Sequence, residues 1–353
     1  MSTPEADLSK VTPNTPLWSA RPVSAFAPFQ ESWYLRLNDL TAKRALWLKF
    51  SVLISRNGFR RVAETWAIYS QRPAGGEITK TALKQTYDMS EFSSSSPSTI
   101  QVNDCFLDFD PDKKQGRTAG SIRSKGNRLS WNLSIETNED ARFNLRPELF
   151  GGITRAKMVA STVAEDLRMT GTAEFNGEKI AFKKCPGMQG HVSGPHSNHS
   201  WVWGHCNSFR TEQGAPAPFI FEGLSIRKKC FASLPVPQLS SFYFFYNNKA
   251  YAFSSLWSSL RSKSRNTLTD WEFQADSGDL SFRGHAHAEH KDFAGLTFED
   301  TRGALLYCAN SNMSDLKIHV YRRGKVEAAF QSDGTAAFEV ISRTKNPYVP
   351  LLI

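Results

Sequence analysis

A short stretch in the middle of the chain carries the residue types best suited to proton transfer in apolar surroundings. Residues 187–209 contain four of the eight histidines and two tryptophans. Side chains alternate between the two faces of a β-strand. A strand in the second half of this stretch would therefore place four side chains on one face: Trp201, Trp203, His205 and Asn207. Such a row can line a ligand cavity, and a buried seam between two sheets would give the same pattern.

The chemistry open to this stretch is acid–base catalysis on an apolar substrate. His199 and His205 can donate or accept a proton, because an imidazole titrates near neutral pH. Protonating an alkene requires an acid in a dry pocket, with aromatic faces that stabilise the resulting carbocation. Trp201 and Trp203 can supply those faces. In the alternative interpretation the tryptophans fill a core and the histidines bond to loop backbone, since aromatic residues most often serve packing.

A second histidine cluster, at residues 285–289, suggests a metal site. On a strand, His285, His287 and Glu289 would point the same way. Two imidazoles and a carboxylate can hold zinc or iron. Same-face positions along one strand diverge, however, and an exposed sheet edge would give the same alternation. The leading hypothesis therefore includes no metal and no cofactor, and a metal-dependent enzyme built on these residues is the third hypothesis.

Several carboxylates near aromatic strand candidates are secondary candidates for the site. They are Glu31, Glu64, Asp88, Asp108 and Glu222. Most carboxylates in proteins are solvated or paired at the surface, and the sequence does not indicate which of these points inward.

The elements that must position these residues are predicted to be short antiparallel strands. In residues 129–135 apolar and polar side chains alternate, which is typical of a half-buried strand. Asn-Gly pairs at 57–58 and 176–177, and an Asn-Asn pair at 247–248, predict hairpins. Many short strands at regular spacing favour antiparallel barrels or sandwiches.

Three segments are predicted to interrupt this pattern. Arg155–Arg168 and Ser254–Arg261 are candidate amphipathic helices. The glycines at positions 187, 190 and 194 predict a loop, because glycine adopts backbone angles that other residues avoid.

The charge of the chain limits its partners. With 353 residues the chain is long enough for two domains. The net charge of +9 can attract phosphate groups or an anionic membrane surface. The basic residues are scattered, with short clusters at 227–229 and 322–323, so we predict no nucleic-acid binding. A peripheral contact with an anionic membrane stays open, and the sequence leaves the oligomeric state undetermined.

The cysteines and the N-terminus predict a cytoplasmic location. The chain has five cysteines at wide spacing and no C-x-x-C motif, which favours a reduced protein. Met1–Lys10 is polar, unlike a signal peptide, and no apolar run is long enough to cross a membrane.

Short segments spread over the chain carry a family resemblance. They are Trp33-Tyr34, Ser130–Ser134, Gly187–His191, Trp203–Phe209 and Tyr307–Ser311. In this order they resemble the tandem-lipocalin superfamily, which contains carotenoid hydratases of the hydroxyneurosporene synthase type, tocopherol cyclases and related pericyclases. The resemblance implies two lipocalin-like antiparallel β-barrels in tandem, with one or two short helices and a pocket for a hydrophobic ligand.

The predicted domain organisation follows from this resemblance and from a weak internal similarity. Residues 1–25 are an extended lead-in, residues 26–194 the first barrel and residues 195–353 the second. The hydratases of the superfamily use a His-x-Trp pair near the domain junction and a later Tyr-x-Asp. His199-Ser200-Trp201 matches the first pair, and the next thirty residues contain no convincing match to the second. This departure argues against hydration in particular and leaves cyclisation, isomerisation and plain binding open.

The leading hypothesis is a protein that binds an isoprenoid or polyene-like molecule in a barrel pocket. There it catalyses cofactor-free cyclisation, isomerisation or hydration by acid–base chemistry. The predicted catalytic residues are His199, Trp201 and His205. The predicted ligand-binding residues are Trp33, Tyr34, Trp131, Trp203, Asn207, Phe221, Tyr307 and Asn310. The alternative is a non-catalytic carrier of a hydrophobic ligand with the same fold.

Overall fold

The fold is almost entirely antiparallel β-structure. A computed structural model of the chain describes residues 14–16, 28–96, 98–137, 143–144, 159–195, 197–227 and 238–353. Within these ranges the strands form two large sheets, which confirms the predicted all-β class. Most of the predicted lead-in at residues 1–25, together with His196 and Cys230, lies outside the described residues.

The first sheet contains twelve strands among the described residues. They are β1 (Phe29–Asp39), β2 (Arg44–Ile54), β3 (Arg61–Gln71), β4 (Thr79–Asp88), β5 (Phe92–Ser96), β6 (Thr99–Val102), β7 (Cys105–Asp110), β8 (Gln115–Ser124), β9 (Asn127–Thr137), β10 (Phe143–Asn144), β11 (Val159–Phe175) and β12 (Glu178–Gly194). Neighbours pair in the order β4-β3-β2-β1-β12-β11-β9-β8-β7-β6-β5, with β10 beside β11. A short 3-10 turn at Met89–Glu91 separates β4 from β5.

The second sheet contains eleven strands among the described residues. They are β13 (Ser200–Cys206), β14 (Arg210–Thr211), β15 (Ile220–Arg227), β16 (Leu239–Tyr246), β17 (Lys249–Phe253), β18 (Lys263–Asn266), β19 (Asp270–Ser277), β20 (Leu280–His287), β21 (Ala294–Glu299), β22 (Leu305–Arg322) and β23 (Lys325–Ser342). Its path is β17-β16-β15-β13-β23-β22-β20-β19-β18, with β14 beside β23 and β21 beside β22. The helix α1 (Leu256–Arg261) lies between β17 and β18, inside the segment predicted as helical, and a 3-10 turn at His290–Asp292 precedes β21.

Each sheet curls around its own apolar core. Trp33, Phe50 and Trp131 belong to the core of the first sheet. The core of the second sheet is rich in phenylalanine, and the rings of Phe221 and Phe273 stack with centroids 4.6 Å apart. Fully burying one such side chain stabilises a fold by about 1.5–3 kcal/mol. The two sheets therefore form two barrels, each with a separate apolar core.

The face of β1–β3 that points away from the first core supplies one side of the space between the barrels. Trp33 points into the first core, so its neighbour Tyr34 points outward. Tyr34 is opposite Lys49 on β2, and Lys49 is opposite Trp66 on β3. Directly opposed residues share a face. The Trp66 ring packs against Phe298 of the second sheet, with centroids 5.2 Å apart.

Two predictions of local structure were wrong. Within the predicted helix Arg155–Arg168, the described residues from Val159 onward belong to β11. Register shifts after Thr162 and after Ala164 break the two-residue alternation, so the apolar spacing imitates a helical one. The glycine-rich stretch predicted as a loop is the end of β12.

The hairpin predictions were confirmed. Asn176 and Gly177 join β11 to β12 with φ angles of 50° and 90°, and Asn247 and Asn248 join β16 to β17 with φ angles of 50° and 57°. Positive φ at both central residues is the geometry of a type I′ turn. Asn57-Gly58 lies in a longer connection between β2 and β3.

The chain passes from the first sheet to the second between Gly194 and Ser200, and the predicted boundary at residue 195 lies in this connection. The cysteines at 105, 185, 206 and 308 are free and buried. No helix among the described residues is long and apolar enough to cross a bilayer.

Candidate functional site

A cavity lies between the two barrels, and residues from both sheets line it. The first barrel contributes β1, β2 and β3 through residues such as Tyr34, Lys49 and Trp66. The second contributes β13 and β23 through residues such as Trp201 and Glu339. The cavity therefore lies between outer faces of the two barrels and not inside either barrel.

Aromatic rings form much of the cavity wall. They belong to Tyr34, Trp47, Trp66, Trp201, Trp203 and Phe298. The rings of Tyr34 and Trp203 meet edge to face, with centroids 5.7 Å apart and an angle of 85°. Aromatic faces carry negative charge density and attract a cation. The wall is therefore suited to an apolar ligand on which positive charge develops.

Lys49 brings a partly buried ammonium group to this wall. Its Nζ lies 4.0 Å from the ring centroid of Phe298 and 5.2 Å from that of Trp66. Burial lowers the pKa of Lys49 to about 8, although the charges of Glu64 and Glu339 act in the opposite direction. At neutral pH Lys49 is therefore mostly protonated and can donate a hydrogen bond to a polar group of a ligand.

Glu339 brings a carboxyl group to the same cavity. In the sheet it lies between Asn310 of β22 and Trp203 of β13. Its Oε2 accepts a hydrogen bond of 2.9 Å from Nδ2 of Asn310. Burial raises the pKa of Glu339, while the hydrogen bond from Asn310 and the charge of Lys49 lower it. Because burial is the largest effect, the carboxyl group keeps its proton to a higher pH than an exposed glutamic acid does.

Tyr34 is positioned in the cavity by a glycine on the neighbouring strand. Gly190 of β12 is directly opposite Tyr34, and a Cβ atom built on Gly190 would lie 2.2 Å from the Tyr34 ring. Only glycine leaves room for the ring at this register position. Burial raises the pKa of the Tyr34 phenol, and the nearby charges of Glu222, Glu339 and Glu165 raise it further. The phenol therefore remains protonated near neutral pH.

A buried carboxyl group holds the Trp203 ring in place. The indole Nε1 of Trp203 donates a hydrogen bond of 2.8 Å to Oε1 of Glu222. Thr162 of the first barrel donates to the other oxygen of the same carboxyl group. Burial raises the pKa of Glu222. Glu222 thus connects the two barrels and fixes one aromatic wall of the cavity.

His205 and Arg36 form a second buried connection between the barrels. Nη1 of Arg36 donates to Nδ1 and to the backbone oxygen of His205, both at 2.9 Å. Nε2 of His205 lies 2.9 Å from the backbone oxygen of Glu165. Because Arg36 donates a hydrogen bond to Nδ1, that nitrogen carries no proton, and the neutral ring carries its proton on Nε2. Burial and the charge of Arg36 hold the pKa of His205 well below its usual range.

The structure brings only part of the predicted site to the cavity. Trp201, Trp203 and Tyr34 line it. His205 is fully buried but is not among the lining residues, because both of its ring nitrogens bond to groups of the first barrel. His199 lies at an exposed bend before β13, outside the cavity lining.

Three predicted ligand-binding residues lie in the barrel cores instead. Trp33 and Trp131 point into the first barrel, where Nε1 of Trp131 donates to Oγ1 of Thr118 at 3.0 Å. Phe221 lies in the second core. A sequence pattern marks a row of apolar residues but not the barrel face on which a ligand binds.

The remaining predicted residues support the site or lie apart from it. Asn310 hydrogen-bonds to Glu339. Asn207 follows β13, and its Nδ2 donates to the backbone oxygen of Gly187 at 2.8 Å, which links the barrels. Tyr307 lines a different depression, near the end of the chain.

Two of the secondary carboxylates reach the site region. Glu64 lines the cavity and pairs with Nζ of Lys84 at 2.8 Å, and Glu222 holds Trp203 as described above. Glu31 is buried elsewhere, with Oε1 at 2.8 Å from Nε2 of His191.

Lys49 and Glu339 were missed by the sequence analysis. A signal was present in each case, because each is a lone charged residue inside an apolar strand segment: L-W-L-K-F for Lys49 and A-F-E-V-I for Glu339. A charged residue in such a run is seldom buried without a partner or a function.

Comparison with known families and structures agrees with this architecture. The model of the tocopherol cyclase-like family matches residues 160–341, more than half of the chain. The chain belongs to this family. The matched segment includes the cavity residues Trp201, Trp203 and Glu339, and also Glu222, which holds Trp203. Lys49 of the first barrel lies outside it. A comparison with curated proteins finds no significant match.

Solved structures similar to this member of the tocopherol cyclase-like family share its two-barrel, lipocalin-like fold. An AttH protein from Nitrosomonas europaea aligns with a TM-score of 0.54 at 12% identity, over 93% of this chain and 94% of that one. Kievitone hydratase from Nectria haematococca aligns with a TM-score of 0.52 at 8% identity, over 88% of each chain. CghA aligns with a TM-score of 0.58 at 8% identity, over 98% of this chain and 96% of that one.

Proposed function

We propose that the protein binds an isoprenoid or polyene-like molecule in the cavity between the barrels. There it catalyses acid-initiated cyclisation, isomerisation or hydration without a cofactor. The observation that carries this proposal is the Glu339 carboxyl group, which has a raised pKa and faces aromatic walls. Membership of the tocopherol cyclase-like family and the fold shared with a protein named as a hydratase support the same reaction class.

The proposed first step is proton transfer from Glu339 to a carbon–carbon double bond. The π electrons form the new C–H bond, and a carbocation remains on the substrate beside the faces of Trp201 and Trp203. Attack by a substrate oxygen or a second double bond, followed by loss of a proton, gives a cyclised product. Loss of a proton alone gives an isomer, and capture of water followed by loss of a proton gives a hydrated product. In each case the proton lost returns to the Glu339 carboxylate.

Lys49 and Tyr34 are proposed to orient the substrate. Both carry protons near neutral pH and both line the cavity close to Glu339. They can donate hydrogen bonds to a hydroxyl or carbonyl oxygen at one end of an otherwise apolar chain. Holding that end fixes which double bond lies next to the acid, and positioning of this kind contributes strongly to rate.

Filling the cavity is expected to weaken ligand binding. Ala160 lines the cavity, so Ala160→Phe places a ring in the space assigned to the ligand. Retinol is a suitable probe, because it is an isoprenoid polyene that accepts excitation energy from tryptophan. We expect its affinity to fall at least about tenfold, equal to about 1.4 kcal/mol.

The matched control is Ala252→Phe, which adds the same ring at an exposed alanine of β17. This variant should bind retinol like the unaltered protein. Equal affinity in all three proteins would contradict the assignment of the cavity. If the protein bound isoprenoid alkenes but converted none of those tested, the proposed function would be that of a carrier and not of an enzyme.

An arginine-rich groove beside the cavity is proposed as the contact with an anionic membrane, from which an apolar substrate would enter. Phe59, in the connection between β2 and β3, is 92% exposed and lines this groove. The arginines that line it are Arg56, Arg60, Arg61 and Arg302. Glu299 lines both the groove and the cavity, so the two are adjacent. An exposed aromatic ring flanked by arginines suits the boundary between lipid headgroups and acyl chains.

Vesicle flotation tests this contact. Arg56 and Arg61 are both exposed, and each basic residue near an anionic surface contributes about 1 kcal/mol. The double variant Arg56→Gln, Arg61→Gln should therefore bind vesicles containing phosphatidylserine roughly 30-fold more weakly. Trp257→Ser, at an exposed aromatic residue of α1, is the control. Equal flotation with and without phosphatidylserine would contradict the proposal.

A further inference from the structure

A cluster of two histidines and an aspartate lies on the outer face of the second barrel. Asp270 begins β19 and is directly opposite His287 on β20. Oδ1 of Asp270 lies 3.0 Å from Nε2 of His285 and 2.8 Å from Nδ1 of His287. Trp271, the next residue of β19, points into the barrel core, so Asp270 points outward.

This arrangement corrects the metal site suggested by the sequence. His285 and His287 are brought together as expected, and their ring centroids are 6.2 Å apart. The third group close to both is Asp270 of the neighbouring strand, whereas Glu289 lies beyond the end of β20. Residues two apart on one strand diverge, while a residue directly across the ladder lies close enough to meet them.

The distances among these groups match those around a single ion. Two ligands that each lie about 2.1 Å from zinc are separated by about 3.0–3.4 Å in tetrahedral or octahedral geometry. The carboxylate oxygen of Asp270 is already within about that separation of both imidazole nitrogens. All three ligand atoms lie within 4.8 Å of one another. An ion could therefore enter with only small side-chain rotations.

Further groups hold the proposed ligands in orientation. Oγ1 of Thr269 donates to Oδ2 of Asp270 at 2.7 Å, which leaves Oδ1 directed at the histidines. Nε2 of His287 lies 3.4 Å from Oε1 of Glu289. A histidine that binds a metal through one nitrogen commonly donates from the other to a carboxylate. Glu289 occupies that outer position.

The surroundings of the cluster favour a cation that water can reach. The side chains of Asp270, His285 and His287 are between 38% and 48% exposed. Glu272 is opposite His285 on one side in the sheet, and Lys317 is opposite it on the other. Glu272 and Lys317 offset each other, so the local charge is set by Asp270, Glu289 and Asp315, the last of which is opposite His287 on β22.

We propose that Asp270, His285 and His287 bind one zinc ion on the outside of the second barrel. Water completes the coordination. The ligands come from adjacent strands, so the ion holds the start of β19 and the end of β20 together. None of the ligands lines the cavity. Its role is structural and independent of the function proposed for the cavity.

Zinc titration of metal-free, untagged protein tests this site. Calorimetry should show one saturable site per chain, and cobalt should give the intense visible bands of a low-symmetry site. His287→Ala and Asp270→Asn should each weaken zinc binding by at least about 100-fold. Glu289→Gln, which removes an orienting group and no ligand, should weaken it about tenfold. Zinc should raise the urea midpoint of the unaltered protein and not that of His287→Ala.

The matched control is His319→Ala on β22, where the ring lies beside Tyr321 rather than in the cluster. This variant should bind zinc like the unaltered protein. Urea unfolding in the presence of a chelator establishes that every variant is folded. Absence of a saturable site in the unaltered protein would overturn the proposal. Zinc affinity in His287→Ala and Asp270→Asn equal to that of the unaltered protein would also overturn it, because the ion would then be adventitious.

Discussion

Replacing Glu339 by Gln is expected to slow conversion of an isoprenoid alkene by about 10²–10⁴-fold while leaving its affinity nearly unchanged. The amide keeps the shape of the carboxyl group, and its oxygen can still accept the hydrogen bond from Asn310. It cannot supply a proton of comparable acidity. Deuterium incorporation from heavy water into a panel of linear isoprenoid alcohols and phenols, followed by mass spectrometry, measures the proton-transfer step directly.

The matched control is Glu299→Gln, because Glu299 also lines the cavity but its Oε2 pairs with Nε of Arg60 at 3.0 Å. Its deuterium incorporation should match that of the unaltered protein. If Glu339→Gln incorporated deuterium at the unaltered rate, the acid would have to be another group.

The pH dependence of the reaction gives a second readout for Glu339. Only the protonated carboxyl group donates, so the rate should fall as the pH rises through the pKa of Glu339. Burial raises that pKa, whereas the charge of Lys49 lowers it. Lys49→Met removes this charge in a side chain of similar shape and should move the fall in rate to higher pH. A shift to lower pH would contradict the assignment of Glu339 as the acid.

Replacing Arg36 by Ala is expected to destabilise the protein by about 3–6 kcal/mol, because two buried hydrogen bonds from a charged donor are lost at about 1.5–3 kcal/mol each. The Arg36 side chain is fully buried and donates to the backbone oxygens of His205 and Thr335 in the second barrel, at 2.9 and 2.7 Å. Its removal deletes these hydrogen bonds between the barrels and opens a void. Urea unfolding followed by circular dichroism measures the loss.

Arg44→Ala is the control on the neighbouring strand. Arg44 pairs with Glu178 at 3.2 Å, where the Glu178 side chain is 56% exposed, so the loss should be below about 1 kcal/mol. Separate unfolding transitions for the two barrels in Arg36→Ala would identify Arg36 as a source of their cooperativity. Equal midpoints for the two variants would contradict the role given to Arg36.

The fold was predictable because its signals are local. The alternation in β9 and the Asn-Gly turn before β12 both depend on residues adjacent in sequence. The β11 error shows the limit of such signals. Bulges change the period of a strand, and they arise from pairing with β9 and β12, which a single segment does not encode.

The candidate site was less predictable because a cavity between domains depends on which strand faces meet. Trp33 and Tyr34 are adjacent and aromatic, yet one fills a barrel and the other faces the cavity. Trp201 and Trp203 of β13, both selected from the sequence, line this cavity. Lys49 and Glu339 are far apart in sequence, and only the packing of the two barrels brings them to the same cavity.

The two faces of strands β1–β3 have different roles, because one faces the cavity and the other faces the core of the first barrel. In the proposed function, the side chains of Tyr34, Lys49 and Trp66 on one face determine which ligand the cavity accepts, while their sequence neighbours on the opposite face pack in the barrel. Changes of specificity can therefore accumulate with little loss of foldability. A combinatorial library restricted to the cavity-facing side chains should therefore retain mostly folded members, which would allow the proposed ligand specificity to be changed without redesign of the barrel.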